Sequence, residues 1–198
     1  MHQKFQITRL FTGEAYKGSR GYIYTQKRYE ILRTIIYFAI SISLFVAGII
    51  ATGDKLNLLT IVAVLGCLPA SKSAVNMIMF LRYQSMNETE AEQIAECTEG
   101  VSGLYDMVFT SYSRTYVVDH MVIKGNTICG YSVKTDFPEK EFQNHLEPIL
   151  KADDHKNVSI KIFTDLNKYI ERLKQLQSLE TNEGNTDAII KTLKSVVL

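Results

Sequence analysis

Few residue types in this chain carry obvious chemistry, and they are widely spaced. His120 lies in a predicted strand, where it acts as a general base only if a partner and a pocket surround it. His145 and His155 lie ten residues apart, which matches no metal-ligand spacing. The chain contains no P-loop, dinucleotide-binding, zinc-protease or nucleophile-elbow motif, and its three cysteines form no disulfide or zinc pattern. We therefore expect no metal and no cofactor.

A polar cluster interrupts an apolar stretch in the first half of the chain. It consists of Ser71, Lys72, Ser73 and Asn76. Ionisable residues inside a membrane segment are costly and are typical of functional sites. Two explanations stay open. Lys72 extends to the lipid headgroups, or Lys72 and the hydroxyls bind a lipid phosphate or contact the soluble part of the same protein.

Two apolar segments predict a transmembrane helical hairpin. Thr34 to Thr52 carries no charge and would form roughly 28 Å of helix, close to the thickness of a hydrocarbon core. The second segment runs from Leu56 to Leu81, after a short connection at residues 53–55. Pro69 leaves an alternative, in which the span ends there and residues 71–83 lie along the interface. We favour one continuous or kinked helix.

Charge predicts how the hairpin is oriented. Basic residues flank its open end, whereas Lys55 alone lies in its turn; the flanking ones include Arg28, Arg33 and Arg82. The positive-inside rule then places both termini in the cytosol and the hairpin in the cytoplasmic membrane. Residues 1–33, with seven bases and two acids, form a basic segment beside the anionic leaflet. Residues 84–198 carry eighteen acids and twelve bases, so a nucleic-acid partner is not expected.

The sequence pattern of residues 84–179 predicts a small cytosolic domain of mixed α/β type. The order of its elements is αβββαβα, with helices at 88–99, after Asp136 and after Asp165, and strands at 105–112, 115–123, 127–134 and 158–163. Asp136 is expected to cap the second helix, and Pro148 to kink or break it. A linker and a final helix occupy residues 180–198. The predicted fold class is an α+β membrane protein.

The core order αβββαβ, with Asp119 in its second strand and Ser132-Val133-Lys134 at its third, resembles the PD-(D/E)XK nucleases, and NERD domains most closely. The resemblance implies that Asp119 helps to hold Mg²⁺ and that Lys134 stabilises charge at the attacked phosphate. Ser132 stands where the family has a metal-binding Glu, so the motif is degenerate. Glu96 or Glu99 on the preceding helix is a candidate for a further acidic residue.

Three functional hypotheses follow. The favoured one is a membrane-tethered, non-catalytic sensor, scaffold or partner-binding module, whose partners are the lipid bilayer, a protein or small ligand and further copies of the chain. The second is a membrane-anchored, metal-dependent nuclease of the restriction-endonuclease-like class. The third is a small oligomeric membrane effector gated by a ligand.

Overall fold

The computed structural model describes residues 16–98, 101–155, 157–178 and 183–198. Within them the chain forms two compact units. Residues 23–84 form the first, a pair of long helices, and residues 16–22 and 85–198 together form the second, a mixed α/β unit. The segment just before the helical pair therefore folds with the residues that follow it.

The helical unit consists of α1 (Tyr22–Thr52) and α2 (Leu58–Leu81), and both are long and apolar enough to cross a membrane. Helix α1 begins well before Thr34, because the charged stretch up to Arg33 contains good helix formers and no proline. The Asn57 side chain caps α2 by accepting a hydrogen bond from the backbone N–H of Thr60 at 2.9 Å. Helix α2 passes through Pro69 without ending, which confirms the prediction of one continuous second helix.

The two helices are packed inside out compared with the helices of a water-soluble protein. Small side chains are buried, among them Ser41, Gly48, Ala63, Ala70 and Ser73. A Cβ atom added at Gly66 would lie 2.8 Å from the Ser41 hydroxyl, so the backbones approach closely there. Large apolar side chains are exposed along both helices, including Ile35, Ile40, Ile42, Phe45, Ile50, Leu58, Leu65 and Leu68. In the most apolar 18-residue stretch of each helix, only 17% of the stretch is buried.

The α/β unit is built on one four-stranded sheet. Its elements are α3 (Glu88–Glu96), β1 (Gly103–Thr110), β2 (Thr115–Lys124), β3 (Thr127–Tyr131), α4 (Glu139–Ala152), β4 (Ser159–Phe163), α5 (Leu166–Gln177) and α6 (Glu183–Val196). The strands lie in the order β1-β2-β3-β4. Strands β1, β2 and β3 form an antiparallel meander, and β4 pairs parallel to β3.

Two apolar clusters hold helices against this sheet. The first joins α4 and α6 to the strands through Phe142, Leu146, Leu150, Ile189 and Leu193. The second includes Ile94 of α3 and Tyr169, Leu173 and Leu176 of α5. Each set recurs at helical spacing, which is the periodicity that predicted these helices. Helix α6 is therefore part of the core of this unit.

Three predicted details differ from the structure. Strand β3 ends at Tyr131, so the tripeptide from Ser132 to Lys134 follows the strand. Asp136 does not cap α4, since the residue before its first turn is Pro138 and no side-chain cap is formed. Pro148 does not break α4, which continues to Ala152 because apolar packing outweighs one lost backbone hydrogen bond. Asp165, by contrast, caps α5 as predicted, accepting from the N–H groups of Asn167 and Lys168.

Both edges of the sheet are covered by groups from elsewhere in the unit. On β1, Tyr105 donates its backbone N–H to the carbonyl of Gly18 at 2.9 Å, and Val108 accepts from the N–H of Leu198 at 3.0 Å. On β4, the Gln143 side chain donates to the carbonyl of Ile160 at 2.8 Å. The Glu139 carboxylate accepts from the N–H of Ile162 at 3.2 Å.

We predict that Leu193→Ala in the full chain destabilises the α/β unit by about 2–5 kcal/mol, because a fully buried side chain of α6 leaves a cavity. Urea unfolding monitored by far-ultraviolet circular dichroism measures the effect. Lys191→Ala, at an exposed position of the same helix, is the matched control and should change the free energy of unfolding little. Equal unfolding midpoints for the two variants would contradict the role given to α6.

Candidate functional site

Two buried aspartates lie opposite each other on the edge strand β1 and its neighbour β2. The pairs Tyr105↔His120 and Met107↔Val118 flank them, so the antiparallel register places Asp106 of β1 opposite Asp119 of β2. Asp106 is 4% exposed and Asp119 is 8% exposed. The backbone of Asp106 has a φ of 56°, in the left-handed region that non-glycine residues adopt rarely.

The alternation of side chains shifts in both strands at these aspartates. Leu104 and Met107 belong to the same apolar cluster, although three positions separate them. Val118 and Met121 of β2 show the same spacing. A regular strand places residues two apart on one face, so each strand departs from the regular pleat at its aspartate.

The third member of this row is Ser132, immediately after β3. When the antiparallel register of the pair His120↔Tyr131 is extended by one residue, Ser132 lies opposite Asp119. The Asp119 carboxylate accepts from the backbone N–H of Val133 at 2.9 Å, and the Ser132 hydroxyl donates to the carbonyl of Val117 at 2.8 Å. Lys134 is exposed, and its backbone N–H donates to the Ser132 hydroxyl at 3.4 Å. The structure thus brings Asp119 and Ser132 together, whereas Lys134 contributes its backbone N–H to this row.

Charge and burial act together on Asp119. The pKa of its carboxyl is raised to about 6, chiefly by burial and in smaller part by the neighbouring carboxylates of Asp106 and Glu90, against the lowering effect of the Val133 hydrogen bond. Asp106 in turn accepts from the backbone N–H of Met86 at 3.0 Å. Glu90, on α3, has one buried carboxylate oxygen with no hydrogen-bond partner in the part of the chain that the structure describes. We call Glu90, Asp106 and Asp119 the carboxylate cluster.

The sequence did not identify two of these three acids. Glu96, one of the predicted acids of α3, is exposed, and Glu99 lies outside the described residues. Glu90 precedes the buried Ala91 and lies one turn before the buried Ile94, so helical spacing could have placed it near the inner face. Among the described residues, no group of three His, Cys, Asp or Glu side chains is arranged to hold a metal ion.

His120 is a fully buried structural residue beside the cluster. Its Nδ1 atom shares a hydrogen bond of 2.7 Å with the Tyr169 hydroxyl, and its ring lies 4.4 Å from that of Tyr105. Its Nε2 atom is close to Gly103, where an added Cβ would approach within 2.7 Å. Burial lowers the pKa of His120 to about 3, so its imidazole is neutral at physiological pH.

Some residues predicted to lie at the membrane interface form contacts within the helical unit. The hydroxyl groups of Thr34 and Ser73 lie 2.9 Å apart and join α1 to α2, and Arg33 Nε donates to the same Ser73 hydroxyl at 3.4 Å. Arg33 also forms an ion pair with the buried Glu30. The Ser71 hydroxyl donates to the carbonyl of Cys67 within α2 at 2.7 Å. The two serines are therefore already engaged by protein atoms.

The other predicted interface residues are more accessible. Lys72 and Arg82 are exposed, and Asn76 is half-buried. Arg28 is exposed as well, with its guanidinium carbon 4.8 Å from the ring centre of Tyr24 and one nitrogen donating to the Tyr24 hydroxyl at 2.6 Å. The side chains of these three cations are therefore exposed, whereas the hydroxyls of Ser71 and Ser73 are bonded to protein atoms.

Comparison with known proteins gives no family for this chain. No family model matches it, and no curated protein or solved structure matches it. The carboxylate cluster and the interhelical contacts of Ser73 are the two features that a functional hypothesis must explain.

We predict that Asp119→Asn stabilises the protein at pH 8 by about 2–3 kcal/mol. The folded-state pKa of about 6 lies above the ordinary value of 3.8, so the ionised carboxylate destabilises the folded state above pH 6. That penalty decreases as the pH falls from 6 to 3.8, and so does the advantage of the variant. The amide oxygen of Asn retains an acceptor for the Val133 N–H.

Urea unfolding between pH 4 and pH 8 tests this dependence. Asp136→Asn removes an exposed carboxylate of the same unit and is the matched control. Its free energy of unfolding should stay close to that of the unsubstituted protein throughout this range. The free energies of unfolding of Asp119→Asn and of the unsubstituted protein could instead differ by a constant amount over this range. That result would show that Asp119 does not titrate as described.

Proposed function

We propose that the chain is an integral membrane protein whose helices α1 and α2 cross the cytoplasmic membrane as a hairpin. The supporting observation is their inside-out packing, with small residues between the helices and large apolar residues outside. In water such a surface would be unfavourable by roughly 25 cal/mol for each Å² of exposed apolar area, whereas lipid tails accept it. The lipid bilayer is then the first partner of the protein.

Two observations support an arrangement with both ends of the hairpin in the cytosol. Residues 16–22 and 85–198 belong to one compact unit, so the chain must leave and re-enter that unit on one side of the membrane. Exposed Arg28 and Arg82 lie on the flanks of the hairpin, and the positive-inside rule assigns flanks of this kind to the cytosol. Lys72 near the same end extends its ammonium group to the headgroups.

We propose further that the α/β unit is a non-catalytic module that senses or binds a partner at the carboxylate cluster. The groups expected to do metal-dependent chemistry are engaged in holding the structure: Asp119 by the Val133 N–H and Ser132 by the Val117 carbonyl. Asp119, whose carboxyl has a raised pKa and lies near two further acids, is therefore a candidate for a functional site. A protein or small ligand, and further copies of the chain, are the partners of this module.

Labelling of single cysteines tests the proposed topology. In a chain with Cys67, Cys97 and Cys129 replaced by Ala, we expect a membrane-impermeant maleimide outside intact cells to label Lys55→Cys in the turn of the hairpin. The same reagent should leave Ser178→Cys unlabelled until the cells are permeabilised. Labelling of Ser178→Cys from outside would invert the topology, and loss of the protein from membranes in alkaline carbonate would overturn insertion itself.

The carboxylate cluster favours one alternative function, a metal-dependent nuclease. Asp119 lies beside Ser132, and carboxylate oxygens are the ligands that Mg²⁺ prefers, although no three acids among the described residues are arranged to hold a metal ion. The motivation for this alternative is the resemblance of Asp119 and the tripeptide from Ser132 to Lys134 to the PD-(D/E)XK pattern. The hydroxyl of Ser132 is a poor substitute for the second carboxylate that such a site requires.

A cleavage assay separates the two functions. We expect no strong cleavage when the purified protein is incubated with single- or double-stranded DNA or RNA and Mg²⁺ or Mn²⁺. Robust cleavage that Asp119→Ala or Lys134→Ala abolishes would establish the nuclease and reject the non-catalytic module. Lys140→Ala, at an exposed position of α4, controls for loss of a surface charge. Cleavage gained in Ser132→Glu would show that the missing carboxylate is what prevents the reaction.

A further inference from the structure

The segment that precedes α1 is bound along the outer edge of β1. We call residues 16–22 the strap. Its Gly18 carbonyl accepts from the N–H of Tyr105 at 2.9 Å, and its Lys17 ammonium group donates to the carbonyl of Val197 at 2.7 Å. Tyr105 is the neighbour of Asp106 in the chain. The strap therefore holds β1 next to one member of the carboxylate cluster.

The strap also holds α3, which carries a second member of the cluster. Arg20 lies 2.9 Å from the carboxylate of Glu88 and 3.5 Å from that of Glu92. These two acids flank Glu90 on the helix. Exposed ion pairs contribute little to stability, but they fix the position of one element against another. One short segment thus contacts both elements that supply Asp106 and Glu90.

The path of the strap depends on two glycines in the left-handed region. Gly18 has a φ of 81° and Gly21 a φ of 70°. A Cβ atom at Gly18 would lie 2.7 Å from a methyl carbon of the buried Leu104, whereas a Cβ atom at Gly21 would meet no atom within 4 Å. Gly18 is required for close approach to β1, and Gly21 only for backbone conformation.

Helix α1 begins at Tyr22, the last residue of the strap, and continues without interruption to Thr34 and beyond. Thr34 contacts Ser73 of α2 through the hydroxyl pair described above. Between Tyr22 and Thr34 the helix extends for roughly 18 Å with no break in its backbone ladder. One continuous helix therefore connects the strap with the residue of α1 that contacts α2.

We propose that the strap couples the packing of the helical hairpin to the carboxylate cluster. In this mechanism a loosened contact between α1 and α2 displaces the first turn of α1. The displaced turn withdraws the strap from β1 and α3 and frees Asp106 and Glu90 to move. Coupling of this kind is reciprocal, so a ligand that orders the cluster also tightens the contact between the helices.

Hydrogen exchange of the full chain in lipid nanodiscs tests the first half of the proposal. Ser73→Ala removes the hydroxyl that joins the helices, and we expect the Tyr105 amide to exchange about fivefold faster. Ser71→Ala removes a hydroxyl that donates to the Cys67 carbonyl within α2, and it should leave this exchange rate unchanged. An unchanged rate in Ser73→Ala, or equal increases in both variants, would overturn the coupling.

Release of the strap tests the second half. Gly18→Val clashes with Leu104, so the Tyr105 amide should already exchange fast and Ser73→Ala should add nothing to its rate. Gly21→Val carries a similar backbone strain without the clash and should retain the response. If Gly18→Val does not fold by circular dichroism, Arg20→Ala takes its place and should reduce the response. A full response to Ser73→Ala in folded Gly18→Val, or in Arg20→Ala used in its place, would show that the strap does not carry the coupling.

Discussion

The chain leaves the α/β unit at Tyr22 and returns to it after α2. This connectivity constrains the arrangement of the two long helices. Because the chain departs from the α/β unit and comes back to it, the pair of helices can only be a hairpin. The short connection between Thr52 and Leu58 then keeps the helices antiparallel, and their small side chains allow close backbone contact. Geometry of this kind follows from connectivity and needs no special interaction at the turn.

Buried acidic groups impose a second constraint, which is electrostatic. Removing a carboxylate from water costs free energy unless hydrogen bonds or cations compensate, and the cluster has backbone N–H donors to Asp106 and Asp119. Their repulsion and burial together keep the pKa of Asp119 above its ordinary value. A fold can tolerate this free-energy cost when its strands and helices fix the carboxylates in place. Here the strands β1 and β2 fix Asp106 and Asp119.

Periodicity predicted most of the secondary structure, and it failed where the chain departs from a regular pattern. The helical spacing of Phe142, Leu146 and Leu150 predicted α4, and apolar runs predicted both long helices. The site was harder to predict, because Asp106 depends on a left-handed backbone and on pairing with β2. The cap at Asp136 was wrong because α4 begins later than predicted, at Glu139, so that Pro138 precedes the helix and does not lie in its first turn. The interhelical role of Ser73 required knowledge of which face of α2 meets α1.

The side chains of α4 that cover β4 have a consequence for how copies of the chain meet at high concentration. An open strand edge would recruit the same edge of a neighbouring copy. Glu139 and Gln143 satisfy backbone groups of Ile162 and Ile160 on that edge, and the Lys161 ammonium group lies 3.6 Å from Glu139. Assembly of continuous sheets through β4 is thereby disfavoured, so copies of this protein can be concentrated without growing into amyloid-like ribbons along this edge.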